Sequence, residues 1–142
     1  ERLAHTLGLH EQVVFLGKVA DVPQRLAKTQ VFVLATHWEG MPLALVEAMA
    51  AGCACITSDA PGAREVLQHQ HDGLIVPHAN PAALAHALEQ LLTQPDYAAQ
   101  LGTQARRTAL NRYGDEQMAQ RYQALLDMPL LPATKSATKP TP

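Results

Sequence analysis

Two carboxylates eight residues apart, Glu39 and Glu47, hold the strongest chemical interest in this sequence. Gly40 and Pro42 bracket a tight turn, and Leu43 to Ala51 reads as a helix stopped by Gly52. The free N–H groups that open such a helix, together with its dipole, favour an anion such as a phosphate. Glu47 is the only polar side chain between Leu43 and Ala51. A helix apolar all round is a buried one. A buried lone carboxylate is costly unless it is paired or hydrogen-bonded. One turn past Leu43, Glu47 can face the same crevice as the helix start, where sugar or ribose hydroxyls would satisfy it. Glu39, in the preceding loop, can meet another part of the same ligand. The plainer alternative has Glu47 bonded to a backbone group or an Arg, and Glu39 solvated.

His37, beside Glu39, is a further candidate to touch a ligand; the alternative is an exposed loop imidazole. Trp38 can pack beneath the loop or stack on a sugar face. The other six histidines are scattered, with only His69 and His71 close together. No metal site is expected. Cys53 and Cys55 lie in an apolar run and, at i and i+2 of a strand, face one side as small core residues. Arg64 with Glu65 reads as a helix-surface pair, and Asp59 as a turn or cap residue.

The elements that must position these residues alternate between short apolar runs and helices. Val13-Val14-Phe15-Leu16, ending at Gly17, reads as a buried strand. Val31-Phe32-Val33-Leu34, Cys53 to Thr57 and Leu74-Ile75-Val76 read as three more. Helices are expected from Asp21 to Lys28, from Pro42 to Ala51 and from Pro61 to about Gln68. Further helices follow Asn80-Pro81, run through Tyr97, Leu101 and Thr108, and follow Asp115 with Met118, Tyr122, Leu125 and Leu126 on one face. Continuously apolar strands, each followed by a helix, imply a parallel sheet covered on both faces. The fold class is therefore α/β: a partial doubly wound, Rossmann-like sheet of about four strands with C-terminal helices. Loops at the carboxyl ends of such strands bind ligands, and Thr36 to Gly40 is one of them. Gly-x-Gly-x-x-Gly and the P-loop are absent.

The 142 residues suffice for one domain with a core; hydrophobic residues make up 47% and charged residues 17%. A net charge of -2 gives no electrostatic footprint for nucleic acid or an anionic membrane. No apolar stretch approaches the roughly 20 residues that span a bilayer, and no signal peptide is visible. One domain is expected over residues 1–127. Residues 128–142, rich in Pro, Thr, Ala and Lys, read as a disordered tail.

The run from Glu39 to Gly52 resembles the Glu-x7-Glu motif of the family 4 (group 1) glycosyltransferases. Phe15-Leu16-Gly17-Lys18-Val19 is similar to the family's approach to the donor base. Pro61-Gly62-Ala63-Arg64-Glu65 is similar to its Gly/Glu loop, and Asp72 to Val76 to its last strand. The resemblance runs from about Leu3 to Leu126 and keeps the motif order. It implies the C-terminal, nucleotide-sugar-binding domain of a GT-B enzyme that transfers a hexose from UDP- or GDP-hexose with retention. The acceptor would be a glycan or lipid, as in polysaccharide biosynthesis.

The resemblance implies roles residue by residue. Glu39 contacts the donor sugar beside the reacting centre. Gly40, Met41, Pro42 and Leu43 line the sugar and diphosphate, and the Leu43 N–H is offered to a phosphate. Glu47 takes the ribose hydroxyls. Lys18 and Val19 lie near the base. His37 and Gly62 are further candidates. No cofactor is implied. Thr36 stands where the family usually has Ser, Ala35 where it often has Pro, and Cys53-Ala54-Cys55 where it has Pro and β-branched residues. The basic pair that neutralises the leaving diphosphate belongs to a part of the domain before residue 1, and Lys18, Arg25, Lys28 and Arg64 do not occupy its position. A fragment is therefore expected: impaired in catalysis, with the Val13 strand deprived of neighbours, and prone to self-association. The acceptor would reach it through a missing N-terminal domain. The full-length enzyme would be cytoplasmic, peripherally at the inner membrane face. Two alternatives stay open: a nucleotide-sugar epimerase of the same fold, and a non-catalytic α/β module that binds a nucleotide or a protein.

Overall fold

The computed structural model describes residues 1–127; the expected tail from residue 128 lies outside them. In chain order the helices and strands are α1 (Arg2–Thr6), α2 (Val22–Leu26), β1 (Val31–Leu34), α3 (Leu43–Ala51), β2 (Ala54–Ser58), α4 (Pro61–Val66), β3 (Leu74–Val76), α5 (Pro81–Thr93), α6 (Pro95–Tyr113) and α7 (Asp115–Leu126). The strands form a parallel sheet in the order β1-β2-β3, with Val31 opposite Ala54 and Ile56 opposite Leu74.

Alternation along the strands builds two cores. Phe32, Leu34, Cys53, Cys55 and Ile75 face α3, α4 and the second half of α6. Val31, Val33, Ala54, Ile56, Leu74 and Val76 face α5 and the first half of α6. Helices α3 and α4 share a face because successive crossovers of one hand, moving one way across a sheet, fall on the same side.

Helix α6 spans both cores. Leu101 packs with α5, while Ala105 and Ala109 pack with α3. It passes at the amino edge of β2, where a Cβ on Gly102 would overlap the Gly52 carbonyl. Arg106 donates to the Ala50 carbonyl there, satisfying one end group of α3. Gly52, at φ 87°, closes α3: its N–H donates to Met49 O at 2.9 Å and the Cys53 N–H to Ala48 O at 3.1 Å. This is the paired closure that glycine permits without a Cβ penalty.

Three strands replace the four expected. Val13 to Leu16 forms no strand, and its side chains are exposed, Val14 to 74%. A strand exists through its ladder, and among the described residues this segment has no neighbour to pair with. β1 is thus an edge strand, and its side chains are only half buried. The expected inner face of α7 is also open: Met118, Tyr122 and Leu126 are each more than half exposed.

Candidate functional site

All three strands end at one edge, and the loops after them meet there. The loop after β1 is held to β2 by side chains. The Thr36 N–H donates to Ser58 Oγ at 2.8 Å, and the Ser58 hydroxyl donates back to the Thr36 carbonyl. The buried Thr57 hydroxyl donates to Leu34 O at 3.1 Å. Side chains of β2 therefore continue the β1–β2 pairing beyond the end of β1. The Thr36 hydroxyl lies 3.2 Å from both Trp38 O and Glu39 Oε1, so one hydroxyl hydrogen is shared between a carbonyl and the half-buried carboxylate. Trp38 is 73% exposed and does not pack beneath the loop.

Two other loops brace this one. Helix α4 starts against it, and a Cβ on Gly62 would overlap the carbonyl oxygens of Glu39 and Gly40. The start of α4 is itself tied back, because Arg64 donates twice to the Asp59 carboxylate. That guanidinium holds the Asp59 carboxyl below its ordinary range, and Asp59 raises Arg64 in return. From the loop after β3, His78 Nε2 lies 2.6 Å from His37 Nδ1, with the two rings edge to face.

At the start of α3, the carbonyl of buried Pro42 accepts from Leu45 and Val46 at 3.0 and 3.2 Å. The Leu43 N–H donates to Met41 O at 2.9 Å, so it is already engaged by the turn. The next amide, that of exposed Ala44, has no backbone acceptor among the described residues. Gly40 and Met41 are exposed beside it.

Glu47 departs from expectation: it is exposed rather than buried. The physical reason is that α2, only five residues long, covers α3 incompletely. The result is a groove of about 530 Å³ between them, walled by Val22, Pro23, Leu26, Ala50 and Arg106 with Glu47 among them. A carboxylate on an open groove keeps its water and carries no desolvation cost. Exposed Lys18 and half-buried Val19 follow the Gly17 turn, at φ 60°, and lead into α2. Glu39 does not line that groove, so the two acids occupy different stretches: one at the sheet edge, the other between helices.

Sequence reasoning missed Ser58 and His78 as partners of this loop. Two hydroxyl residues closing an apolar strand, Thr57-Ser58, were the available signal for the first. A lone histidine 41 residues from His37 offered none for the second. Among the described residues no group of three or more His, Cys, Asp or Glu forms a metal-ligand set. His69 Nδ1 accepts from the Ile75 N–H at 2.9 Å within the turn before β3. Cys53 and Cys55 are buried core thiols, and burial pushes both upward in pKa.

The family described as glycosyl transferases group 1 matches residues 1–108. The chain is 33% identical over 132 residues to the Bacillus subtilis protein EpsD, covering 90% of this chain and 34% of that one. It is 33% identical over 115 residues to the N,N'-diacetylbacillosaminyl-diphospho-undecaprenol alpha-1,3-N-acetylgalactosaminyltransferase of Campylobacter jejuni, covering 81% and 30%. Among solved structures it superposes on Anabaena HepE in complex with UDP at a TM-score of 0.85 and 26% identity, over 88% of this chain and 35% of that one. The same protein with UDP-glucose gives 0.82. The chain thus spans about a third of the length of the relatives it matches.

Proposed function

The chain belongs to the glycosyl transferases of group 1, and from that premise we propose that it is the donor-binding part of a retaining enzyme. The enzyme transfers a hexose from a nucleoside-diphosphate sugar to a glycan or lipid acceptor. The observation that carries this reading is the Glu39 loop at the carboxyl edge of the parallel sheet, running straight into α3. It supplies a half-buried carboxylate for sugar hydroxyls beside an open helix amide for a phosphate. In this reading Glu39 takes hydroxyls of the hexose, and Gly40, Met41, Pro42 and Leu43 line the sugar and diphosphate. Ala44, rather than Leu43, offers the amide. Glu47 takes the ribose from its groove, with the Lys18-Val19 loop on the base side.

Breaking the bond to the leaving diphosphate calls for positive charge where negative charge develops. Arg64 is engaged by Asp59 and Arg25 by Asp21. The cations that meet this developing charge, and the acceptor site, belong in this reading to the rest of the enzyme, which works in the cytoplasm at the membrane face. No cofactor is required in this scheme. Calorimetry of the chain with UDP and GDP is the test. Binding of one of them, weakened at least tenfold by Glu47→Ala, supports the assignment. Binding of neither overturns it.

A further inference from the structure

We infer that Ser58 is a positioning residue for Glu39, acting through Thr36, and that this pair of hydroxyls sets the affinity for the sugar half of the donor. The inference rests on the donor-site reading of Glu39 above. Three contacts in series carry it. Ser58 binds both polar groups of the Thr36 backbone, its N–H at 2.8 Å and its carbonyl. The Thr36 side chain, fixed in place by that grip, reaches Glu39 Oε1 at 3.2 Å. Ser58 is 7% exposed and lies on β2, whose neighbours Ile56 and Thr57 are fully buried. It is therefore anchored in the central, fully buried strand of the sheet, while Glu39 sits on a loop.

The geometry explains why a hydroxyl is needed at position 58. β1 ends at Leu34, and beyond it the chain turns away from β2. The Thr36 N–H and carbonyl have then left the ladder and need other partners. A serine hydroxyl both donates and accepts, so one side chain satisfies both groups. Alanine would leave both without partners at a part-buried place and free the loop to move. Ser58 need not touch the ligand for this. A site held to within about half an ångström by a supporting contact loses selectivity when the contact goes.

Nucleoside diphosphate and sugar nucleotide, used as paired probes, separate this role from general stability. UDP with UDP-glucose, and GDP with GDP-mannose, are titrated into the 142-residue chain and into the Ser58→Ala, Ser58→Thr and Thr36→Val variants. Ser58→Ala and Thr36→Val are expected to weaken the sugar nucleotide about tenfold, a loss of the size that a hydrogen bond to a charged group represents. The nucleoside diphosphate should stay within about twofold on the same scale. Ser58→Thr, which keeps the hydroxyl, should bind both probes as the native chain does. Equal loss of both probes in Ser58→Ala and Thr36→Val would make the role merely structural and overturn the inference, as would no loss at all. If Ser58→Ala does not fold, as judged by its amide spectrum, Thr36→Val decides, since it keeps both backbone contacts to Ser58 and removes only the Thr36 hydroxyl, with its contacts to Glu39 and to the Trp38 carbonyl. If the native chain binds neither pair, the donor-site reading itself has failed, and this inference with it.

Discussion

Gly62 lies against Glu39 so closely that a methyl group at its Cβ position would sit 2.9 Å from the Glu39 carbonyl carbon and overlap two carbonyl oxygens. The start of α4 and the loop that carries the acid are thus fitted to each other backbone to backbone. Gly62→Ala must push one of them aside. Because neither neighbour is the end of a flexible side chain, a cost of about 1–3 kcal/mol in stability is expected. Urea denaturation measures it, and the amides of residues 36–40 should show the largest shifts in an NMR spectrum. A variant as stable as the native chain, with those amides unmoved, would show that the packing is looser than described.

Glu47 lends itself to the opposite kind of test. It is exposed on a groove, so Glu47→Gln should change stability by no more than about 0.5 kcal/mol. Nucleotide affinity should nevertheless fall, since a carboxylate accepts from ribose hydroxyls more strongly than an amide does. Thermal unfolding and calorimetry on one sample separate the two effects. A large loss of stability would mean that the carboxylate is a structural group after all.

Asp72 is the buried acid of the described region, 2% exposed. Its carboxylate accepts from the Gln68 N–H at 2.6 Å and from the Thr108 hydroxyl at 2.9 Å, tying the turn before β3 to α6. Asp72→Ala leaves both donors without a partner and is expected to cost about 2–3 kcal/mol. Thr108→Val removes one partner only and should cost less. Denaturant midpoints for the two variants and the double variant would reveal the coupling; strictly additive losses would contradict the shared network.

Asp59 predicts a pH dependence with a definite sign. Arg64 lowers the Asp59 carboxyl from its ordinary 3.8 in the folded chain. A depressed carboxylate stabilises the fold above its unfolded value, and that contribution disappears as pH falls through the lower, folded value. The Asp59→Asn variant should therefore unfold at a lower temperature than the native chain near neutrality. The gap should close below the ordinary carboxylate range and narrow in high salt, because the pair is exposed to solvent. A gap that is constant across pH would assign the effect to shape rather than charge.

The sequence carried most of the local structure, for reasons that lie within a few residues. Proline and asparagine opened α5 where expected, with Asn80 Oδ1 accepting from the Ala83 N–H at 3.0 Å. Gly52 ended α3 because only a residue free of a Cβ takes its φ without strain. The strand runs at Val31, Ala54 and Leu74 and the carboxyl-edge loop were legible from apolar continuity and the order of the turns.

Val13 to Leu16 has the composition of a strand, but its ladder depends on another segment lying alongside, which composition alone cannot supply. The two acids exchanged character for a similar reason. Glu47, lone on an apolar helix, was expected to be the buried one and is exposed, because the length of α2 decides how much of α3 is covered. Glu39, a loop residue, is the half-buried one, because Ser58 and Gly62 converge on its loop from two other elements and Thr36 of the same loop bonds its carboxylate. Periodicity and caps are local energies and are written along the chain. Burial and hydrogen-bond partnership are set by residues distant in sequence, so only the tertiary structure could decide which acid is held at the sheet edge and which faces solvent.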